Sequence, residues 1–408
     1  MSSNAEKSGS LPLAGIRILE MGHTVMGPSC SMVLGDLGAD VIKVEPPEGD
    51  RTRANVGFGS ALFPVFNRNK RSIAIDVKSD AGRAVLLRLV AGADALIENF
   101  AHGTMERLGL GYPTLANANP RLVYCALKGF LSGPYEHRAA LDEIVQFMGG
   151  LAYMTGPTGM PLRAGASVID IMGGMFGALG IMAALRERET TGRGQEIRSA
   201  LFESTAFLVA QHMGQQALTG KAPPPMPEKA SSWAVYDPFQ TADGKTVFVG
   251  ITSDNHWRAF CKEYGEEELL ADPTLKTNPQ RARARDRIMP VVTARFAAER
   301  FDTLCAKLDR LNIPYGPLAK PGDLFDNPHL NEGGRMLDIT LPTGKHAKIP
   351  GIPLEMDGRK PKVRRQPPRM GQHTVAVLEE AGYTRVEIDA LISQRVVIDA
   401  SRSLTAAS

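Results

Sequence analysis

The 408-residue sequence predicts an α/β protein with a large domain built on a mostly parallel sheet and a smaller α+β domain. Three observations support this prediction. Strand and helix patterns alternate through the first third of the chain, which implies right-handed crossovers and helices on both faces of the sheet. The length exceeds what one hydrophobic core ordinarily needs, so two domains are expected. The proline-rich segment 221–227 then interrupts the pattern and has the composition of a stiff linker.

The elements of the first third are short apolar runs bounded by glycine, proline and polar residues. Strands are predicted at Gly15–Glu20, Ala39–Glu45, Ser72–Val77, Ala93–Phe100 and Arg121–Leu127. Helices are predicted at Pro28–Leu37 and Ala81–Ala91, with a helical turn around Met105. Because such a sheet binds nucleotide-like ligands outside the carboxyl ends of its strands, we expect a ligand site at that edge.

Asp170 is the most informative single residue. It ends a short apolar, strand-like run and opens a long apolar helix, whose glycines at 173, 174, 177 and 180 line one face and allow another backbone to pack closely. A carboxylate at a helix start meets spare N–H groups and the positive end of the macrodipole, so we expect Asp170 to be ionised. Two interpretations follow from the residues alone: Asp170 is a helix N-cap, or it is a covalent nucleophile.

The remaining elements follow the same rules. The helix that Asp170 opens is predicted to end near Glu189, before a strand at Gln195–Ala200 and a helix to about Thr219. Beyond the linker, the pattern predicts a hairpin turning at Asp243-Gly244, and then helices through 254–310. Thr384 and Glu387 form a capping-box pattern before a C-terminal helix.

Composition narrows the class of protein. With 47 basic and 44 acidic side chains the net charge is +3, which gives no indication of nucleic-acid binding. The four cysteines are widely spaced, so we expect neither a zinc site nor disulfides, and this suits a reducing compartment. The polar N-terminus lacks a signal core, and no charge-free apolar run is long enough to span a bilayer. We therefore expect a cytoplasmic protein without a membrane partner.

Several catalytic motifs are missing from the sequence. There is no G-x-G-x-x-G after a strand and no Walker A sequence, so neither a standard NAD site nor an ATP-driven ligase is expected. There is no G-x-S-x-G elbow and no H-E-x-x-H helix. The eight histidines have no metal-ligand spacing, and we expect no metal site.

From about Leu13 to Val397 the chain resembles the class III CoA transferases. That family includes formyl-CoA, carnitine and dicarboxylate CoA transferases, and also the alpha-methylacyl-CoA racemases. The resemblance lies in a series of motifs in a fixed order: Gly35–Glu45, Phe66–Ile73, Ile97–Phe100, Thr191–Gln195 and Gly371–Thr374.

The resemblance implies roles for particular residues. The family's nucleophilic aspartate matches Asp170, at the end of Gly165–Asp170. Its CoA-contacting positions match His23 to Met26, Asp76, Lys78, Asn99, Phe100, Arg107 and Asp142. Two positions depart from the pattern, since Pro46 replaces an arginine and Ala139 a lysine that some members carry.

The resemblance also implies an architecture. The large domain is expected to be Rossmann-like and to combine 1–222 with 331–408, leaving 223–330 as the small domain. The family forms interlocked homodimers, in which each chain is threaded by the other. The expected partners are an acyl-CoA and a small carboxylic acid, with coenzyme A as a substrate and no resident cofactor.

Leu141 separates the two activities found in the family. A racemase needs a histidine directly before the aspartate that matches Asp142, and leucine cannot transfer a proton. Leucine at this position favours the transferase activity. For that activity the resemblance implies transfer of CoA through an aspartyl anhydride and an aspartyl-CoA thioester, with succinyl-CoA or another dicarboxylic acyl-CoA as the donor. The alternatives are an alpha-methylacyl-CoA racemase and a catalytically inactive binding protein.

Overall fold

The computed structural model describes residues 11–228, 232–360 and 362–400. These residues form two compact units. The described residues up to Pro227 and those from Pro328 onward make a large unit, and Glu228–Asn327 makes a small one. The sequence analysis places the corresponding boundaries at 222/223 and 330/331.

The first part of the large unit alternates strands with helices. Its strands are β1 (Arg17–Glu20), β2 (Asp40–Glu45), β3 (Lys70–Ile75), β4 (Ala95–Glu98), β5 (Val123–Lys128) and β6 (Glu196–Ala200). Its helices are α1 (Met26–Asp36), α2 (Leu62–Phe66), α3 (Asp80–Ala91), α4 (Thr104–Arg107), α5 (Tyr112–Ala118), α6 (Asp142–Met148), α7 (Leu151–Thr155), α8 (Val168–Thr191) and α9 (Leu201–Thr219).

The small unit follows, and the chain then returns to the large one. The small unit contains β7 (Val235–Gln240), β8 (Thr246–Ile251), α10 (Asp254–Tyr264), α11 (Glu267–Ala271), α12 (Asn278–Arg283), α13 (Arg285–Ala297), α14 (Phe301–Arg310) and β9 (Tyr315–Pro317). The returning chain forms α15 (Pro328–Glu332), β10 (Met336–Thr340), β11 (His346–Pro350), α16 (Thr374–Glu380), α17 (Arg385–Ser393) and β12 (Val397–Ile398). The predicted hairpin joins β7 to β8, and Gly244 at its turn has φ +73°.

The large unit is organised around a seven-stranded sheet with the order β12-β3-β2-β1-β4-β5-β6. Its first six strands in the sequence are parallel, and β12 pairs antiparallel with β3. The order of the parallel strands is that of a doubly wound nucleotide-binding fold, so the predicted fold class is confirmed. The order reverses between β1 and β4, and the crevice in such a fold opens there, between the loops that follow these two strands.

Both faces of the sheet are covered. Two consecutive residues of β1, Ile18 and Leu19, belong to separate hydrophobic clusters, because successive side chains of a strand point to opposite faces of the sheet. The Leu19 cluster packs under α3, α16 and α17, whereas the Ile18 cluster packs under α1 and α8. The strands that end at the crevice thus belong to a sheet that is buried on both faces.

The glycines of α8 bring this helix against α1, as the sequence predicts. A Cβ atom added at Gly174 would lie 2.7 Å from the backbone oxygen of Met26 and 3.0 Å from the nitrogen of Cys30. One added at Gly177 would lie 2.6 Å from a methyl group of Leu127 in β5. Only glycine therefore allows α8 to lie this close to both α1 and the sheet.

By length and composition, α8 is the one helix among the described residues that could cross a membrane. The sequence analysis does not single it out, since only 171–185 is free of charge. Its Gly173, Gly174 and Gly177 are buried within the large unit.

The motif Phe66–Ile73 joins the returning segment of the chain to the sheet. The Asn69 side-chain oxygen accepts a hydrogen bond from the backbone N–H of Arg364 at 2.6 Å, and the Arg71 guanidinium pairs with Glu380 at 2.7 Å. Asn69 itself has φ +62°, a left-handed conformation that asparagine tolerates better than most residues. In this chain the motif has a structural role, because it attaches the returning segment to β3.

Candidate functional site

The loops after β1 and β4 meet at the point where the strand order reverses. The backbone N–H of His23 donates to Asn99 Oδ1 at 2.8 Å, and Asn99 Nδ2 donates to the backbone oxygen of His23 at 2.9 Å. The rings of His23 and Phe100 lie with their centroids 5.9 Å apart. The structure thus brings together three of the predicted CoA-contacting residues, and His23 is exposed to solvent.

Buried lysine side chains donate hydrogen bonds to the backbone of the segment that follows β1. The ammonium of Lys43 in β2 donates to the backbone oxygen of Gly22 at 2.8 Å, and that of Lys70 in β3 donates to the backbone oxygen of Pro28 at 3.1 Å. Both ammonium groups pair with the buried carboxylate of Glu20 in β1. Burial lowers the pKa of Lys70 to about 8, although Glu20 opposes the shift. The loop after β1 and the first turn of α1 are thus fixed by charge-assisted hydrogen bonds from Lys43 in β2 and Lys70 in β3.

An ion pair between the partly exposed Lys128 and the buried Glu98 supports the loop after β4. The Lys128 ammonium donates to the Glu98 carboxylate at 2.6 Å and to the backbone oxygen of Phe100 at 2.9 Å. The backbone N–H of Phe100 donates back to Glu98 at 2.8 Å. Burial raises the pKa of Glu98, and Lys128 opposes that rise. These contacts fix the conformation in which Asn99 faces His23.

The other predicted CoA-contacting residues lie at the same edge of the sheet or beneath it. Met26 is buried at the start of α1, and its terminal methyl would collide with a Cβ atom at Gly173. Asp76 follows β3 and accepts a hydrogen bond from the backbone N–H of Lys78 at 3.1 Å, leaving the Lys78 side chain exposed. Arg107 ends α4 after β4 and is also exposed.

Asp170 is the third residue of α8, not the residue that opens the helix. The helix begins at Val168, and the preceding segment is a loop rather than the predicted strand-like run. The N-cap interpretation is wrong, because Asp142 performs that role: its Oδ2 accepts the backbone N–H groups of Ile169 at 2.8 Å and of Asp170 at 2.9 Å. No hydrogen bond or ion pair within the described residues uses the Asp170 carboxylate, which is half-buried.

The charge state of Asp170 also differs from the expectation. Burial, together with the negative charges of Asp142 and Glu143, raises the pKa of Asp170 to about 7. The expectation of a fully ionised carboxylate assumed that the helix N–H groups are available to it. Because Asp142 takes two of them and adds its own charge, the stabilisation of the Asp170 anion by the helix start is largely cancelled.

Asp142 itself is buried in the first turn of α6, and its carboxylate lies against the first turn of α8. Its Oδ1 accepts a hydrogen bond from the Gln146 side chain, whose oxygen in turn accepts the backbone N–H of Ala164 at 2.8 Å. Leu141, directly before it, is 64% exposed. The residue that stands in the racemase histidine position therefore faces away from the interior.

Sequence reasoning missed the side chains that support the site. Lys43, Lys70 and Glu98 lie within predicted strands or family motifs that give them no supporting role, and Gln146 lies outside both. A signal was available, since a charged residue within a fully buried strand must find a partner or a function.

Comparison with known proteins identifies the class. The sequence model of CoA-transferase family III matches residues 13–374, so the chain belongs to that family and is a CoA-transferase. It is 33% identical to a succinyl-CoA:glutarate CoA-transferase of Mus musculus, over 95% of this chain and 90% of that protein. It is also 33% identical to a succinyl-CoA:mesaconate CoA-transferase of Haloarcula hispanica, over 92% of this chain and 99% of that protein.

A solved structure shows the same architecture. The crystal structure of a CAIB/BAIF family protein from Brucella suis superimposes with a TM-score of 0.79 at 33% sequence identity, covering 91% of this chain and 100% of that one. The similarity therefore extends over nearly the whole of both chains.

Proposed function

We propose that this protein transfers CoA between a dicarboxylic acyl-CoA, with succinyl-CoA as the preferred donor, and a carboxylic acid, and that Asp170 is the nucleophile. One observation carries the proposal: the Asp170 carboxylate has no partner among the described residues, while the backbone on which it sits is held by Asp142. The substrate class is supported by the names of the relatives, which act on succinyl-CoA together with glutarate or mesaconate.

The chemistry requires one carboxylate and no nucleotide. Asp170 adds to the thioester carbonyl and expels CoA thiolate, giving a mixed anhydride. The thiolate then attacks the aspartyl carbonyl of the anhydride, releasing the donor acid and leaving an aspartyl-CoA thioester. The acceptor carboxylate repeats both exchanges in reverse, so that Asp170 is regenerated. Coenzyme A is thus a substrate, and no resident cofactor enters these steps.

The raised pKa of Asp170 predicts a pH dependence. Only the ionised carboxylate attacks, so kcat/KM for transfer should fall about tenfold per pH unit below pH 7 and level off above it. The measurement is kcat/KM between pH 5 and 9 with substrates whose own acids titrate below pH 5. A profile that stays flat down to pH 5 would contradict the placement of this titration on Asp170.

CoA phosphates are expected to contact Lys78 and Arg107, whose exposed cations lie near the edge of the sheet that holds His23 and Asn99. Lys78→Ala and Arg107→Ala should each raise KM for the acyl-CoA about 10–100-fold with little change in kcat, since each removes a charge-assisted contact remote from the thioester. Arg186→Ala, an exposed arginine at the far end of α8, is the control and should leave KM unchanged. An unchanged KM in both test variants would place the phosphates elsewhere.

The racemase alternative can be tested directly. Inversion at the alpha carbon needs a second proton donor, yet Leu141 carries no acid and both oxygens of Asp142 already accept hydrogen bonds. The enzyme should therefore exchange isotope-labelled glutarate or mesaconate into its CoA ester in the presence of succinyl-CoA. It should not incorporate deuterium from heavy water into a 2-methylacyl-CoA. Rapid deuterium incorporation without an acceptor acid would overturn the transferase, and failure of both reactions would favour the inactive binding protein.

A homodimer is part of the proposal. The isolated chain exposes large apolar side chains along α6, α8 and α9: Phe147, Met175, Leu179, Phe207, Met213 and Leu218. Apolar surface of this extent usually marks an interface, and a second copy of the chain is the expected partner. Sedimentation should give twice the 44.0 kDa chain mass, and slow subunit exchange between tagged and untagged protein would support interlocking. A monomer at micromolar concentration would contradict it.

The remaining parts of the proposal concern location and domain roles. We propose a cytoplasmic location without a membrane partner, supported by the four free cysteines, which suit a reducing compartment. The large domain, 1–222 with 331–408, is proposed to bind CoA and carry Asp170, and 223–330 is proposed to be the small domain.

A further inference from the structure

We propose that Asp142 and Gln146 are positioning residues, which hold the loop in front of α8 so that Asp170 is aimed for attack, and that Asp142 does not contact CoA. This inference rests on the proposed role of Asp170 as the nucleophile. It assigns Asp142 a different task from the one implied by the family resemblance, and it adds Gln146, which no sequence motif had indicated.

The hydrogen bonds form one continuous path. The backbone N–H of Ala164 donates to Gln146 Oε1 at 2.8 Å, and Gln146 Nε2 donates to Asp142 Oδ1. Asp142 Oδ2 then accepts the backbone N–H groups of Ile169 and Asp170. The loop from Ala164 to Asp170 is thus held at both ends by two side chains of α6.

Burial keeps water from replacing the partners in these hydrogen bonds. Gln146 is fully buried and Asp142 is 4% exposed, so neither can exchange its partners for water. Gln146 Nε2 and the backbone N–H groups of Ile169 and Asp170 all donate to the Asp142 carboxylate, and an ionised carboxylate has only acceptor oxygens. The arrangement therefore fixes the geometry of the groups behind Asp170. Displacement of a reacting group by about 1 Å can cost roughly 100-fold in rate.

The direction of the hydrogen bonds supplies a sharp test. In Asp142→Asn, one amide oxygen can still accept the two helix N–H groups, but the new NH₂ then faces the NH₂ of Gln146. Turning the Gln146 amide over only moves the clash to the N–H of Ala164. In Gln146→Glu, two carboxylates face each other, and like charges at this distance are unfavourable. Each single variant thus leaves one mismatched pair.

The double variant Asp142→Asn with Gln146→Glu restores every match. Glu at 146 accepts from Ala164 and from the new amide, and the amide oxygen accepts from Ile169 and Asp170. The negative charge is kept and moves by one helical turn. Both single variants should lose about 100-fold in kcat with KM for the acyl-CoA within about threefold of wild type. The double variant should recover at least tenfold over either one.

The readouts are kcat, KM, thermal melting, and the rate at which acyl-CoA followed by hydroxylamine modifies the Asp170 peptide. A large rise in KM with kcat preserved in Asp142→Asn would overturn the inference, since it would make Asp142 a CoA ligand. Full activity in both single variants would also overturn the inference. So would a double variant whose kcat does not exceed that of either single variant, whether the double variant is folded or unfolded. Failure of the wild type to label Asp170 would instead refute the nucleophile assignment and leave the kcat pattern to be judged separately.

Discussion

Replacing Asp170 by asparagine or alanine should abolish CoA transfer, with kcat/KM reduced by roughly 10³-fold or more. The covalent route has no substitute for this carboxylate, and the nearest acid, Asp142, is buried with both oxygens hydrogen-bonded. The measurement is label exchange between free acid and acyl-CoA. In parallel, wild-type protein incubated with acyl-CoA and then hydroxylamine should be modified at Asp170, and the variants should not. Near-normal turnover of Asp170→Ala would refute the mechanism.

Loss of activity in these variants should not come from unfolding. The pKa of Asp170 is about 7 in the folded chain and about 4 in an unfolded one, so between those values the folded state holds the proton more tightly and stability falls as pH rises. Asparagine removes this cost. At pH 8, Asp170→Asn should therefore be more stable than wild type by about 1–2 kcal/mol. A pKa difference of about three units between the folded and unfolded states corresponds to ~4 kcal/mol, and partial solvent exposure of Asp170 reduces this figure.

Gly174→Ala should destabilise the fold strongly. Its Cβ atom would meet the backbone oxygen of Met26 at 2.7 Å and the backbone nitrogen of Cys30 at 3.0 Å, and backbone atoms cannot move aside without shifting α1. We expect the free energy of unfolding to fall by about 2–3 kcal/mol, even after the gain in helix propensity. Denaturant unfolding measures this change. Because Met26 begins α1 next to the His23 loop, KM for acyl-CoA should rise in the same variant.

The same helix offers a matched control. A Cβ atom added at Gly180 would meet only the terminal methyl of Ile197, at 3.0 Å, and such a side chain can adjust. Gly180→Ala should therefore change stability by less than about 1 kcal/mol, since improved helix propensity offsets the tighter contact. Equal losses in the two variants would show that the glycine stripe, rather than its backbone contact with α1, determines stability.

The sequence predicted the features that depend on local pattern. The alternation of apolar runs in Gly15–Leu127 gave the strands and crossovers, and the glycine spacing of α8 gave its close packing. The hairpin at Asp243-Gly244 and the capping box of Thr384 and Glu387 also formed as predicted, since each depends on residues only a few positions apart.

The sequence could not predict the features that depend on distant partners. Asp142 lies 28 residues before Asp170 and takes the helix N–H groups that the local pattern had assigned to Asp170 itself. Because Asp142 caps the helix in place of Asp170, both the predicted capping role and the predicted charge state of Asp170 differ from those in the structure. In the same way, Asn69 and Arg71 bind residues about 300 positions away, and no local pattern reveals such partners.

The antiparallel strand β12 has a consequence for how the protein is made. Strand β3 ends at Ile75, and its outer edge is covered by residues that follow about 300 positions later: the backbone of Ser72 is hydrogen-bonded to His373, and Val397 and Ile398 pair with β3 as β12. A ribosome adds about 5–20 residues per second, so the edge of β3 stays unpaired for roughly half a minute after it is synthesised. An open edge strand is a site for pairing with other chains, and nascent copies on neighbouring ribosomes are the nearest ones. Residues synthesised late thus protect an early strand, and a chain truncated before His373 should aggregate during synthesis although its Asp170 region is complete.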